Sequence, residues 1–179
     1  GARYCISPLS FVTIPEALSL HRARRLGFEG SNGKYVLFVD DDDFLGMDAL
    51  PKLLEVVIAD ETVDIVDSPK RLWQTSSNTD GGLLSSATVL PSGSVTFASI
   101  VDSGMVRSLS FTLAGRLIRR DLLSKSFTHE WDYVHEDVLE FFLLFSEPVN
   151  VVSLSVETYF YRRGHSSLTS RRSLDKLRT

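Results

Sequence analysis

Four consecutive carboxylates, Asp40 to Asp43, follow directly on the apolar run Tyr35-Val36-Leu37-Phe38-Val39. A run of this kind, with no internal polar residue, reads as a strand buried on both faces of a parallel sheet. The carboxyl ends of such strands are where open α/β sheets bind their ligands. If the extended conformation continues through the acidic run, alternation throws Asp40 and Asp42 to one side and Asp41 to the other. Two carboxylates held together repel unless a cation or a proton relieves them. Hard oxygen donors of this kind suit Mg²⁺ or Mn²⁺, typically carrying a nucleotide's phosphates. The alternative is a solvated loop whose acids favour the positive end of the next helix. A second acidic pair, Glu136-Asp137, opens the apolar stretch Val138 to Phe145. Taken alone, that pair is accounted for by the helix dipole, which stabilises acids in a first turn by about 0.3 to 1 kcal/mol.

The elements that position these acids can be read from periodicity. An amphipathic segment, Pro15 to Leu26, predicts a short helix, and Gly27, Gly30 and Gly33 punctuate the approach to the first strand. Those glycines precede a strand instead of following one, so they are not a dinucleotide fingerprint. Met47, Leu50, Leu53, Leu54, Val57 and Ile58 recur at helical spacing, and Val63 to Val66 reads as a second strand. Strand, helix and strand of this length predict a parallel pair joined by a right-handed crossover, with Tyr35 to Val39 central in the sheet. Beyond it, Thr75 to Gly82 reads as a polar loop, and Ala87 to Phe97 as a hairpin turning at Pro91-Ser92-Gly93-Ser94. A helix over 98–105, a strand over 113–118, a short helix from Arg120 to Ser124 and a buried helix over 137–145 follow. Val149 to Val156 and Thr158 to Tyr161 then form a terminal strand pair or one bent strand.

At 179 residues the chain is long enough for one domain with a core. A net charge of −4 and no basic stripe interleaved with aromatics argue against nucleic acid as a partner. Beyond Phe160, six Lys and Arg residues from Arg162 to Arg178 stand against the single acid Asp175. Such a tail suits anionic lipid at a membrane face or a diphosphate, although a solvated helix face explains it as well. The single cysteine, Cys5, excludes an internal disulfide and a thiolate zinc cluster, and a cytoplasmic setting follows most simply. No apolar stretch reaches the roughly 18 to 20 residues that span a bilayer.

The order of motifs resembles that of the family 2 glycosyltransferases of the GT-A fold. Ala23-Arg24 with Gly27, then Gly33-Lys34-Tyr35, is similar to the family's Ala-Arg-Asn, Gly and Gly-Glu-Tyr elements. Asp40, Asp42 and Asp43 match its Asp-x-Asp-Asp, and Gly115-Arg116-Leu117-Ile118 its Gly-Lys-Leu-Tyr. Glu136-Asp137 matches its Glu-Asp pair, and Tyr159-Phe160-Tyr161-Arg162 with Ser166 or Ser167 its closing Tyr-x-Tyr-Arg and Ser. The resemblance spans about Ala23 to Ser167 and implies a three-layer α/β domain of the nucleotide-diphospho-sugar transferase kind. On that basis residues 1–34 are a leader and helix, 35–68 the metal-site unit, 69–148 the acceptor side, and 149–179 terminal strands and a basic tail.

The resemblance further implies transfer of a sugar from a nucleoside diphosphate donor to a glycan or lipid-linked acceptor, usually with inversion, as in bacterial surface polysaccharide synthesis. Asp40, Asp42 and Asp43 would hold Mn²⁺ or Mg²⁺, Asp137 would act as general base, and Glu136 would shape the acceptor site. Arg24 and Arg162 are candidate diphosphate contacts, and Trp131 or Trp73 a stacking surface for sugar. The sequence departs from the family at Arg25, where Asn is usual, and at Arg116, where Lys is usual. The family's opening β-α-β nucleotide-binding region has no counterpart before Ala23, so the domain is expected to be truncated at its N-terminus. Two rival readings stand. A haloacid-dehalogenase-like phosphatase also places Asp-x-Asp after an apolar strand, but Asp43-Phe44-Leu45 follows where that class has a small turn. The other is a non-catalytic, truncated transferase domain.

Overall fold

In the computed structural model, residues 9–14, 18–74, 79–83, 89–128 and 136–163 are described. The apolar residues alternate along three short strands, β3 (Ile65–Asp67), β7 (Leu117–Arg119) and β8 (Val149–Ser153). Ile65 lies opposite both Ile118 and Val151, and these side chains point to one face of the sheet. There they pack against α3 (Phe97–Asp102), α4 (Arg120–Ser126) and α5 (Glu136–Leu144) through Ile100, Leu122, Leu123, Phe141 and Leu144. Val66, Leu117 and Val152 point to the other face and meet Leu53 and Val57 of α2 (Ala49–Ala59). Helices therefore cover both faces, which makes three layers, as expected.

The sheet has five strands in the order β1-β7-β3-β8-β6, where β1 is Tyr35–Leu37 and β6 is Gly93–Val95. β7 runs antiparallel to both β1 and β3, so those two are parallel to each other with β7 between them. The crossover through α2 thus joins parallel strands that are not neighbours. The expectation of a central, doubly buried Tyr35-to-Val39 strand is not met. β1 is three residues long, half-buried, and at an edge of the sheet that the described residues form, and Val39 is 44% exposed. The ladder stops because Gly115 ends the partner strand's approach: its N–H donates to Phe38 O at 3.0 Å with φ at +78°.

A second sheet, absent from the sequence reading, has the order β2-β9-β4-β5. Its strands are Phe44–Leu45, Tyr159–Arg163, Lys70–Gln74 and Thr79–Leu83, taken in that order. β5 lies in the segment expected to be a loop; its Thr-Asp-Gly-Gly-Leu sequence carries no apolar alternation to read. β8 and β9, expected as a pair or one bent strand, belong to different sheets, and β6 pairs with β8 instead of closing a local hairpin. The first helix, α1, is Leu20–Glu29: it starts at Leu20 instead of Pro15, residues 15–17 lying outside the described residues, and it ends three residues beyond Leu26. No described helix is long and apolar enough to cross a membrane.

Candidate active site

Immediately after β1 the acidic run folds into a turn closed by Asp43 N–H donating to Asp40 O at 3.1 Å. The extended alternation that would pair Asp40 with Asp42 therefore does not continue past Val39. The four carboxylates are sorted by their surroundings instead.

Asp43 is buried, and both of its oxygens are engaged. Tyr159 Oη donates to Oδ2 at 2.5 Å, and the Arg162 backbone N–H donates to Oδ1 at 2.9 Å. Burial pushes the Asp43 carboxyl above the usual carboxylate range, opposed by these two donors. Tyr159, fully buried on β9, also accepts from the Asp40 N–H at 3.2 Å, so one phenol pins both ends of the turn. Burial, and then the bond to Asp43, raise its pKa well above that of a free tyrosine. The ring is pressed against Gly115: a Cβ there would lie 2.6 Å from Tyr159 Cγ. Glycine is required at that position twice over, by the close approach and by the positive φ.

Asp40 is held by α1. The helix is capped by Ser19, whose Oγ accepts from Arg22 N–H, and it turns His21 and Arg24 inward, one turn apart. Arg24 Nη2 donates to Asp40 Oδ1 at 3.1 Å, and Nη1 lies 3.7 Å from Glu140 Oε2. The other Glu140 oxygen pairs with His21 Nδ1. Glu140, His21 and Arg24 are all buried. Arg24, expected to contact a diphosphate, is committed instead to two carboxylates, because burial requires its charge to be paired.

Asp41 and Asp42 remain, exposed and half-buried respectively, with no hydrogen bond or ion pair among the described residues. Arg162 lies beside the turn, its guanidinium carbon 5.8 Å from the Phe44 ring centroid. Asp137, the second residue of α5, accepts from the N–H of its neighbour Val138 at 3.0 Å. Glu136 is the first residue of that helix; its side chain, and Trp131, fall outside the described residues. Trp73 packs edge-on against Phe44 at 5.6 Å, inside the second sheet.

Two buried features are not read from the sequence: Arg116 figures there only by its place in a motif, without its partner Asp67, and Lys70 does not figure. Arg116, 1% exposed, pairs with Asp67 at 3.0 Å and donates to Ser110 O at 2.8 Å. Burial alone would raise the Asp67 pKa, but the charges of Arg116 and Lys70 hold it below the usual range. Lys70, 2% exposed, has no hydrogen-bond partner for Nζ among the described residues and lies 5.9 Å from the Tyr159 ring centroid. Burial, then the nearby Arg116 charge, push its pKa down to about 7.

No group of three or more His, Cys, Asp or Glu side chains among the described residues is arranged as a metal cage. Mg²⁺ and its relatives, however, usually take one or two protein carboxylates and complete their shell with phosphate and water. Asp42 and the second oxygen of Asp40 fit that requirement; Asp43, with both oxygens occupied, fits it less well.

No curated protein matches this chain. Among solved structures it is similar to the 1–349 segment of S. aureus TarS, at 18% identity and a TM-score of 0.58, covering 79% of this chain and 40% of that one. The same segment in complex with UDP-GlcNAc gives 16% identity and a TM-score of 0.60, covering 86% and 41%. Against the longer TarS structure the identity is 18%, the TM-score 0.57 and the coverage 79% and 24%. The chain thus spans less than half the length of the structures it matches, and the likeness establishes the GT-A-type fold. The model of the glycosyl transferase family 2 matches residues 4–126, more than half of the chain. This chain belongs to glycosyl transferase family 2.

Proposed function

We propose that the protein transfers a sugar from a nucleoside diphosphate donor to a hydroxyl of a glycan or lipid-linked acceptor, with inversion, at the cytoplasmic face of a membrane. UDP-GlcNAc, present in one similar structure, sets the class of donor to try first. Asp42 and Asp40 would hold Mn²⁺ or Mg²⁺. When bound, the ion would act as a Lewis acid toward the departing diphosphate. Asp43 fixes the turn through Tyr159 and Arg162, so its contribution is to the shape of the site. Arg162, at the rim of the turn, contacts the diphosphate; Glu136 would shape the acceptor site and Trp131 would stack on sugar, the roles that the family implies for them.

Asp137 is the general base. The acceptor oxygen attacks the anomeric carbon as the bond from that carbon to the diphosphate oxygen breaks, and the acceptor proton passes to the Asp137 carboxylate. The observation that carries this reading is the tie between the helix of Asp137 and the acid turn: Glu140, three residues on, shares Arg24 with Asp40. The test is turnover with a panel of nucleotide sugars, read as nucleoside diphosphate released. Asp137→Asn keeps the shape and the bond from the Val138 N–H, so donor binding should persist while the rate falls by about 10² to 10⁴. Asp137→Asn turnover close to wild type would refute the assignment and leave the helix-start role alone.

A further inference from the structure

The buried chain His21, Glu140, Arg24 and Asp40 crosses from α5 through α1 to the acid turn. Its charges are unusual for a core. Three of its four side chains are at most 5% exposed, and they come from segments far apart in sequence. A buried ion pair is a poor source of stability, since desolvation offsets most of its attraction. Apolar side chains would join α1 to α5 at least as well. Phe127, which already packs against His21 at 5.4 Å and Phe28 at 5.1 Å, shows that the surroundings accept them. What an apolar joint could not do is set the charge beside Asp40.

We infer that Glu140 and Arg24 are positioning residues that tune the cation affinity of the acid turn, Glu140 acting through the guanidinium that it shares with Asp40. This rests on the proposed metal role of Asp40 and Asp42. The Arg24 cation neutralises part of the Asp40 charge and so weakens its hold on a metal ion. Glu140 takes up part of that cation and restores the hold, while His21 fixes the other oxygen of Glu140. The same pairs hold the first turn of α5, which carries Asp137, in register with the turn. A change in the pairing on one side is thereby felt on the other.

The signs distinguish tuning from simple gluing. Glu140→Gln keeps the size of the side chain but removes its charge, leaving the guanidinium uncompensated beside Asp40. Mn²⁺ binding should weaken by roughly 3- to 30-fold, the effect of one partly screened charge at an effective dielectric near 20. Arg24→Gln removes the competing cation, so Mn²⁺ binding should tighten. The double variant loses one charge of each sign and should return toward the wild-type affinity. A merely structural network predicts weaker binding in every variant, in step with lost stability.

The measurement is a Mn²⁺ titration of the full-length protein, followed by the electron paramagnetic resonance signal of free Mn²⁺, with melting temperatures recorded beside it. If either single variant fails to fold, the double variant carries the decision: near-wild-type affinity supports the relay, and a loss comparable to that of Asp40→Ala overturns it. Shifts of the same sign in both single variants, with wild-type binding intact, would overturn the relay and leave the metal site standing. A wild-type protein that takes up no Mn²⁺ would overturn both.

Discussion

Gly115 is more than 70 residues from the acidic run in sequence, yet its replacement by alanine should disturb that run more than most changes within it. Its φ of +78° costs an L-residue about 1 to 2 kcal/mol. The new Cβ would stand 2.6 Å from Tyr159 Cγ and 2.8 Å from Cβ, so the whole ring must move, not merely its tip. Tyr159 is fully buried between the sheets, and a displaced ring carries its hydroxyl away from Asp43. Loss of that charge-assisted bond contributes about 1.5 to 3 kcal/mol. Together the terms give about 3 to 5 kcal/mol of destabilisation, most of a small domain's stability. Tyr159→Phe is the comparison, because it removes the hydroxyl alone and should cost only the hydrogen-bond part, about 1.5 to 3 kcal/mol. Urea unfolding at pH 7 followed by tryptophan fluorescence measures both. A Gly115→Ala protein that loses under about 1 kcal/mol, or less than Tyr159→Phe, would refute the claim that ring contact transmits from β7 to the turn.

Two further outcomes can be checked. Lys70 has a folded-state pKa of about 7 against an ordinary value of 10.5, so between those limits the unfolded chain binds a proton that the folded chain does not. Stability should therefore rise with pH, by about 2 kcal/mol from pH 7 to 9. Lys70→Met should flatten that slope, and urea midpoints at pH 7, 8 and 9 that vary equally in both proteins would count against it. Asp42→Ala leaves the turn's hydrogen bonds intact, since Asp42 makes none among the described residues. The melting temperature should accordingly hold within about 2 °C, the range of surface substitutions, while Mn²⁺ binding and transfer are lost; retained transfer in excess chelator would remove Asp42 from the metal site.

Long periodic segments were legible in the sequence, and short polar ones were not. The helix after the acidic run, the buried helix beginning at Glu136 and the strands at Ile65 and Val149 all show in their apolar spacing, because each has one face in a core. The small sheet escaped, since Thr75 to Gly82 reads as a polar, Gly-rich loop, and β4 pairs in parallel with β9, far away in the sequence (Lys70 opposite Tyr159). The acidic turn escaped for another reason: alternation presumes a continuing strand, and nothing local announces that Gly115, on the partner segment, ends it. His21 and Glu140 were equally illegible, as a histidine and a glutamate on helices usually face water, and their burial depends on a pairing across 119 residues that no local pattern announces. Lys70 carried a faint signal. A single lysine beside Ile65-Val66-Asp67 and Leu72-Trp73 sits where the pattern calls for inward-facing side chains.

The fate of the four carboxylates follows from this packing. Four adjacent acids repel, and a turn brings them closer than a strand would. The fold relieves the outer two from within: Arg24 pairs with one oxygen of Asp40 and leaves the other without a partner among the described residues, and Tyr159 with the Arg162 N–H satisfies both oxygens of Asp43. Those bonds lock the backbone on both sides of Asp41 and Asp42, so the two middle side chains are presented by a rigid turn without being satisfied by it. Rigid backbone with unsatisfied acids is the arrangement expected of a cation site whose remaining ligands arrive with the substrate, because the ligands are preorganised and their charge is left uncompensated until then. A solvated loop would need neither the buried phenol nor the buried guanidinium. That the chain buries Tyr159, Arg24 and Glu140 around a turn that leaves the exposed Asp41 and the half-buried Asp42 without partners among the described residues is therefore the strongest structural argument for the cation role proposed for this turn.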